Sequence, residues 1–322
     1  MKNNILILSA GRRVELVKCF KSAAEKMQNG SKIIAADLSD TAPAIYFADK
    51  HYLIPRIGTE GYLESIVDIC KKENIALVVP TIDTELLILA ENKEMLEQET
   101  EAKILVSDLS VIQICRDKTN SQKFFEKNGF GVPAQIHDIY NDNFSFPVFI
   151  KPLDGSSSIN AFKVNNMEEL EFFNKYIEKP MIQEYMEGEE FTVDVCLDFC
   201  SNILSIVPRK RLAVRSGEIA KGFIVKDREI IDDVTRLMKV LKPIGHITVQ
   251  CMKTKKGIEY IEINPRFGGG APMSIMAGAD SCENLYRLMA GEVLEYSEEY
   301  QENILFLRFD NSIMLDENME RI

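Results

Sequence analysis

The chain has 322 residues, 46% of them hydrophobic and 27% charged, which suits two or three soluble domains with real cores. A formal net charge of −12 and a pI near 5.0 argue against a nucleic-acid partner, which clustered Lys and Arg would have to hold. No apolar run approaches the roughly 20 residues of a membrane span, and residues 5–8, leading into Gly11-Arg12-Arg13, lack the layout of a secretory signal.

Residues 5–8, 32–36, 76–79 and 103–106 read as short buried strands. Between them, apolar side chains recur at helical spacing: Val14, Leu16, Val17, Phe20, Ala23, Ala24 and Met27, then Leu63, Ile66, Ile69 and Cys70, then Leu86, Leu87, Leu89 and Ala90. This βαβα order predicts a doubly wound parallel sheet, whose ligands sit at the carboxyl ends of its strands. Two such ends are Ser9-Ala10-Gly11-Arg12-Arg13 and Pro80-Thr81-Ile82-Asp83-Thr84-Glu85.

After Asp117 the pattern changes. A helix over 119–127 stops at Gly129, and Val132-Pro133 bars its continuation. A strand through Val148-Phe149-Ile150-Lys151-Pro152, a polar loop over 154–160 and a strand over 161–164 follow. Asn166 caps the next helix, with Glu169 three residues on. Residues 191–199 alternate strictly, as an antiparallel strand with one polar face does. A helix over 228–241, a hairpin over 248–264 and a helix near 283–289 complete an α+β region. The seven cysteines are scattered and form no Cys-x-x-Cys pair, so they read as reduced thiols of a cytoplasmic protein.

Neither Gly-x-Gly-x-x-Gly nor Gly-x-x-x-x-Gly-Lys-Ser/Thr is present, and His51, His137 and His246 lie too far apart in sequence to suggest a metal or triad site. The C-terminal hairpin is more informative. Glu262 and Asn264 share one face of a strand, and a turn centred near Lys256 sets Gln250 across from Glu262. Three oxygen-bearing side chains on one face suit Mg²⁺, while the bland reading is a solvated hairpin face. The tail Asn264-Pro265-Arg266-Phe267-Gly268-Gly269-Gly270 favours the first.

The run Glu262-Ile263-Asn264-Pro265-Arg266 resembles the metal-binding strand of ATP-grasp enzymes. Lys118, Val148-Phe149-Ile150-Lys151-Pro152, the loop through Gly155-Ser156-Ser157-Ser158, and Gln183-Glu184-Tyr185-Met186 with Glu190 follow the order of that superfamily. The chain is most similar to the synthetase units of the carbamoyl phosphate synthase large subunit and to single-unit proteins like them, over nearly its whole length. The resemblance implies an amino-terminal α/β domain over 1–112, an ATP-grasp domain over 113–310 with a lid at about 133–187, and a tail over 311–322. It implies that Lys118 and Lys151 contact ATP phosphates, that residues 154–160 cover them, and that Gln183, Glu184, Tyr185 and Met186 line the adenine. Glu190 would take the ribose hydroxyls; Gln250, Glu262 and Asn264 would hold Mg²⁺, with Mn²⁺ an alternative; Arg266 would stabilise the transferring phosphoryl.

Arg209-Lys210-Arg211, with Arg215 and Lys221, form a basic segment in an acidic protein, either an exposed loop or an anion site served by Arg211 and Arg215. Arg12 and Arg13 either grip a substrate anion or face solvent, and Gly269 within its glycine run permits close backbone approach or a tight turn. The expected activity is an ATP-dependent carboxylate–amine or carboxylate–thiol ligase acting on small molecules through an acyl phosphate. A small-molecule kinase and a non-catalytic nucleotide-binding module are the alternatives, and a homodimer is compatible with either.

Overall fold

The computed structural model describes residues 2–153, 159–215 and 217–322. Gly155, Ser156, Ser157 and Ser158 therefore lie outside the described residues. The amino-terminal region runs β1 (Asn4–Ile7), α1 (Val14–Met27), β2 (Ile33–Asp37), β3 (Lys50–Leu53), α2 (Tyr62–Lys72), β4 (Ile75–Val79), α3 (Asp83–Glu91), α4 (Lys93–Thr100) and β5 (Lys103–Ile104). All pairings are parallel, in the order β3-β2-β1-β4-β5. Ile5, Leu6 and Ile7 are fully buried, because helices cover both faces of such a sheet and leave no polar side. The edge strand β3 was not foreseen: Lys50-His51-Tyr52-Leu53 is polar and largely exposed, as suits an edge. Strand order reverses at β1 and β4, which opens a crevice at their carboxyl ends.

Helices α5 (Leu109–Arg116) and α6 (Lys118–Lys127) connect this region to the rest. Asp117 caps α6, accepting from the amides of Thr119 and Asn120. Strands β6 (Gln135–Ile136), β7 (Val148–Pro152), β8 (Phe162–Val164) and β9 (Pro180–Glu184), with α7 (Met167–Tyr176), make a four-stranded antiparallel sheet ordered β6-β9-β7-β8. The larger antiparallel sheet contains β10 (Gly188–Leu197), β11 (Ile203–Arg215), β12 (Glu218–Ile224), β13 (Gly245–Thr254), β14 (Gly257–Asn264) and β15 (Ile304–Leu307), ordered β14-β13-β10-β11-β12-β15. Helix α8 (Arg228–Leu241) packs on one face of it, where Ile230, Val234 and Met238 meet Val193, Val249 and Ile263.

The basic segment is not a loop. It is the second half of the 13-residue strand β11, paired to β10 and β12. Helix α9 (Ala271–Met276), with Pro272 in its first turn, precedes α10 (Ser281–Met289) and was hidden by the preceding glycine run. Both helices join the core of the amino-terminal sheet: Phe20 of α1 packs edge-on against Phe267 and Tyr286, with ring centroids at 5.7 and 6.5 Å. No helix among the described residues is long and apolar enough to cross a membrane. All seven cysteines are free thiols, five of them buried.

Candidate active site

Strand periodicity sorts the six-stranded sheet into an apolar face against α8 and a polar face opposite it. On the polar face, Gln250 stands across from Glu262 on one side and Thr192 on the other, and Thr192 stands across from Arg209. Two residues along, Thr248 lies between Asn264 and Asp194. The polar side of β10, read from its alternation, therefore faces the protein interior: Thr192 is 3% exposed and Asp194 2%.

A cleft of about 600 Å³ separates this face from the carboxyl ends of β1 and β4. It brings together Gln250, Glu262, Asn264 and Arg266 from the hairpin with Arg211, Lys118, Arg13 and Gly269. Asn264 Nδ2 donates to Glu262 Oε1 at 2.8 Å, which turns its Oδ1 toward Arg266 Nη2 at 3.2 Å. Lys118, at the start of α6, donates to the carbonyls of Pro152 and Leu153 at 3.2 and 2.8 Å. Burial, with Lys118 nearby, pushes the Lys151 amine down to about 8, against the pull of Glu262. Glu190 lies 3.0 Å from Arg211 Nε without hydrogen-bond alignment; burial raises its carboxyl, which Arg211 opposes.

Two ion pairs cross the cleft. Arg266 Nη2 donates to Asp83 Oδ2 at 2.5 Å, and Arg13 Nη1 to Glu218 Oε1 at 3.1 Å. Arg308 Nη1 donates to the other Glu218 oxygen at 2.8 Å. Burial alone would raise the Glu218 carboxyl, but Arg13 and Arg308 outweigh it and hold the group below the ordinary range. Asp83 and Glu218 were not singled out as site residues by sequence reasoning. Asp83 did sit in a strand end recognised as a ligand position; Glu218 had no signal until β12 was seen to be a strand.

Beneath the cleft lies a buried polar cluster. Arg209, 1% exposed, donates through Nη2 to Asp194 Oδ2 at 2.9 Å, and its Nε and Nη1 have no partner among the described residues. Asp194 also accepts from Ser274 Oγ at 2.5 Å and Thr248 Oγ1 at 3.3 Å, with His246 Nε2 at 3.5 Å. Burial would raise its carboxyl; the Arg209 guanidinium and these donors hold it far below the usual carboxylate range.

Other expected residues fall elsewhere. Arg215 and Arg12 are exposed and pair with Asp310 at 2.5 and 3.6 Å, because β11 has left the cleft by its last residues. Lys221 is exposed and does not line the cleft, since Gly222 beside it takes the face shared with Arg211. At the carboxyl end of β9, an inner strand of the four-stranded sheet, Glu184 pairs with Lys256 at 2.6 Å, Gln183 is buried and donates to Gln122 at 3.1 Å, and the Tyr185 ring carries Lys163 at 4.2 Å. Met186 is half-buried next to them.

Three family profiles match the chain in series. "PylC-like, N-terminal domain" covers residues 5–104, "D-ala D-ala ligase C-terminus" 119–216, and "ATP-grasp in the biosynthetic pathway with Ter operon" 177–309. Residues 177–309 thus match an ATP-grasp family. The chain is 24% identical over 177 residues to a carbamoyl-phosphate synthase of Methanobrevibacter smithii, covering 52% of this chain and 46% of that one. It is 35% identical over 96 residues to a D-alanine–D-alanine ligase of Fusobacterium nucleatum, covering 30% and 33%. The matches thus span less than half of either relative. The biotin carboxylase domain of Hydrogenobacter thermophilus 2-oxoglutarate carboxylase, solved with MgADP and bicarbonate, shares the fold at TM-score 0.70 and 20% identity, over 94% of this chain and 73% of that one.

Proposed function

We propose that this protein is an ATP-dependent ligase that phosphorylates a small carboxylate and passes the acyl group to an amine. The observation that carries this reading is the meeting of one oxygen-donor row, Glu262, Gln250 and Asn264, with Lys118, Arg211 and Arg266 in a single cleft. Lys118 and Lys151 neutralise the nucleotide phosphates, and Glu190 accepts from the ribose hydroxyls. The adenine lies along residues 183–186.

The donor row holds one carboxylate and two carboxamides, and no group of three His, Cys, Asp or Glu suited to a metal exists among the described residues. Such a set fits Mg²⁺ only when phosphate oxygens complete the shell, so the ion arrives with the nucleotide. Bound there, Mg²⁺ would neutralise charge on the β- and γ-phosphates. Arg266, steered by Asp83 and Asn264, stays charged and presents several donors to the transferring group.

The substrate carboxylate attacks the γ-phosphorus, the bond to ADP breaks, and an acyl phosphate forms. The ammonium form of the amine first loses one proton to solvent; the neutral amine then attacks the acyl carbon, the C–O bond to phosphate breaks, and the nitrogen's second proton passes to the departing phosphate. A screen of carboxylates and amines for stimulated ADP release identifies the acid. With that acid ¹⁸O-labelled in its carboxyl, one label should move into the released phosphate. Unlabelled phosphate refutes the acyl phosphate, and ADP without free phosphate marks a kinase.

A further inference from the structure

We infer that Gln122 and Glu126 of α6 set the base selectivity of the nucleotide site, by fixing which end of the Gln183 carboxamide is turned to the purine. Both are positioning residues that act through Gln183. This rests on the ligase reading, in which the adenine lies along residues 183–186, and it adds to that reading a relay of side chains outside the cleft.

The two ends of a carboxamide have nearly the same shape, so only their partners tell nitrogen from oxygen. One end of Gln122 meets two groups that can only accept, the Glu126 carboxylate at 2.8 Å and the Pro133 carbonyl at 3.2 Å. That end is therefore Nε2, and Oε1 is the end that faces Gln183. Whatever meets this oxygen must donate, so Gln183 presents its own Nε2 there, at 3.1 Å. The other end of Gln183 is thereby fixed as Oε1, an acceptor, and among the described residues no donor meets it. Gln122 is 6% exposed and Gln183 3%. Turning either amide over would set buried like atoms against each other, which is costly away from water.

The sheet register places this acceptor. Lys151 stands across from Met181 and Phe149 from Gln183, so Lys151 and Gln183 share one face of the four-stranded sheet. The other face, with Val148, Ile150 and Ile182, packs in a core with Leu170 of α7. Helix α6 lies along the Lys151 face. Its Lys118 donates to the carbonyls at the end of β7, and Gln122, one turn on, receives Gln183 from β9. One turn of α6 thus serves the phosphate end and the base end of the same nucleotide.

Adenine carries an amino group at position 6, a donor, whereas guanine and hypoxanthine carry an oxygen there, an acceptor. Gln183 Oε1 accepts from the amino group and would face the oxygen with lone pairs opposed. A glutamine free to rotate serves either base by turning its amide over. Gln183 is not free, because Glu126 and Pro133 hold Gln122, and Gln122 holds Gln183.

The test is titration calorimetry of the full chain with ADP and with IDP, each with Mg²⁺, since their bases differ at position 6 and the adjoining ring nitrogen. The parent should bind ADP about tenfold or more tighter than IDP. Gln122→Leu should shrink that ratio about fivefold or more, and Glu126→Leu, at an exposed position, about twofold, because Pro133 still holds Gln122. General loosening of the fold would weaken both diphosphates together and leave the ratio alone. In a Gln183→Leu background, Gln122→Leu should change the ratio no further, as expected of a residue acting only through Gln183. Equal binding of ADP and IDP by the parent, a ratio unmoved in Gln122→Leu or in Glu126→Leu, or a Gln122→Leu effect that persists without Gln183 overturns the inference. If Gln122→Leu does not fold, Glu126→Leu decides alone. All these results leave the ligase reading standing; binding of neither diphosphate at millimolar concentration strikes that reading, and the inference with it.

Discussion

Asp194 offers the sharpest test of how the cleft is held. Its carboxylate faces the Arg209 guanidinium at 2.9 Å, and both side chains are at most 2% exposed. Asp194→Ala leaves a buried guanidinium with no anion and also frees Ser274 and Thr248, its other donors. Removing one partner of a buried ion pair costs about 3–5 kcal/mol, because the remaining charge stays desolvated. For a unit of this size that corresponds to a fall in melting temperature on the order of 10 °C. The double variant Asp194→Leu with Arg209→Met removes both charges and should recover most of the loss, since an apolar pair of similar volume is often neutral. The pH dependence has a definite sign. Because the folded carboxyl is held below its unfolded value of about 3.9, its contribution is complete above that pH and fades as acid titrates it. Thermal unfolding of the three proteins between pH 3 and 8 measures all of this. An Asp194→Ala variant within about 1 kcal/mol of the parent would show that Arg209 does not depend on Asp194.

Lys151, lowered from 10.5 to about 8, binds fewer protons folded than unfolded between those values, so stability rises with pH across that window. Nucleotide phosphates favour its charged form; ATP binding should weaken above pH 8 and take up close to one proton at pH 9, measured by calorimetry in two buffers, and zero uptake there contradicts the assignment. Glu262→Ala should cut Mg²⁺-dependent turnover about a hundredfold or more while shifting the melting point little, since Glu262 is half-buried at the cleft; near-full activity would remove it from the metal set. Gly270→Ala places a methyl 2.3 Å from Arg209 Nη1 and 2.7 Å from Ile219 Cγ2, and should destabilise by about 1–3 kcal/mol in chemical denaturation, whereas a neutral result would mean the turn relaxes freely.

What sequence reasoning reached follows from how strongly each element writes its own pattern. Helix α8 keeps Ile230, Ile231, Val234, Leu237, Met238 and Leu241 on its buried stripe, and its limits were readable to the residue. The turn fixes the register of Thr254↔Gly257 through Cys251↔Tyr260, and a one-residue shift between Gln250 and Cys251, which the sequence pattern does not announce, then sets Gln250 across from Glu262. Strand β11 escaped because Arg209, Lys210 and Arg211 place charge on both faces and erase the alternation. The two faces differ only in partners: Lys210 goes to Glu189, Arg209 to Asp194. Asp83 and Glu218 escaped for another reason. Their roles depend on how the parallel sheet sits against the antiparallel one, and no local pattern encodes that.

The crossing ion pairs have a bearing on how such proteins can be recombined. Arg13 and Glu218 are 205 positions apart in the chain, Asp83 and Arg266 183 positions. Phe20 and Phe267 share one core beside them. The amino-terminal region is thus a wall of the cleft and not a detachable adaptor. A chimera that grafts a foreign first region onto this carboxyl part would strand Arg266 and Glu218 opposite the wrong charges. Exchange of specificity by swapping regions requires that residues 13, 83, 218 and 266 travel together, as a single unit of inheritance scattered along the chain.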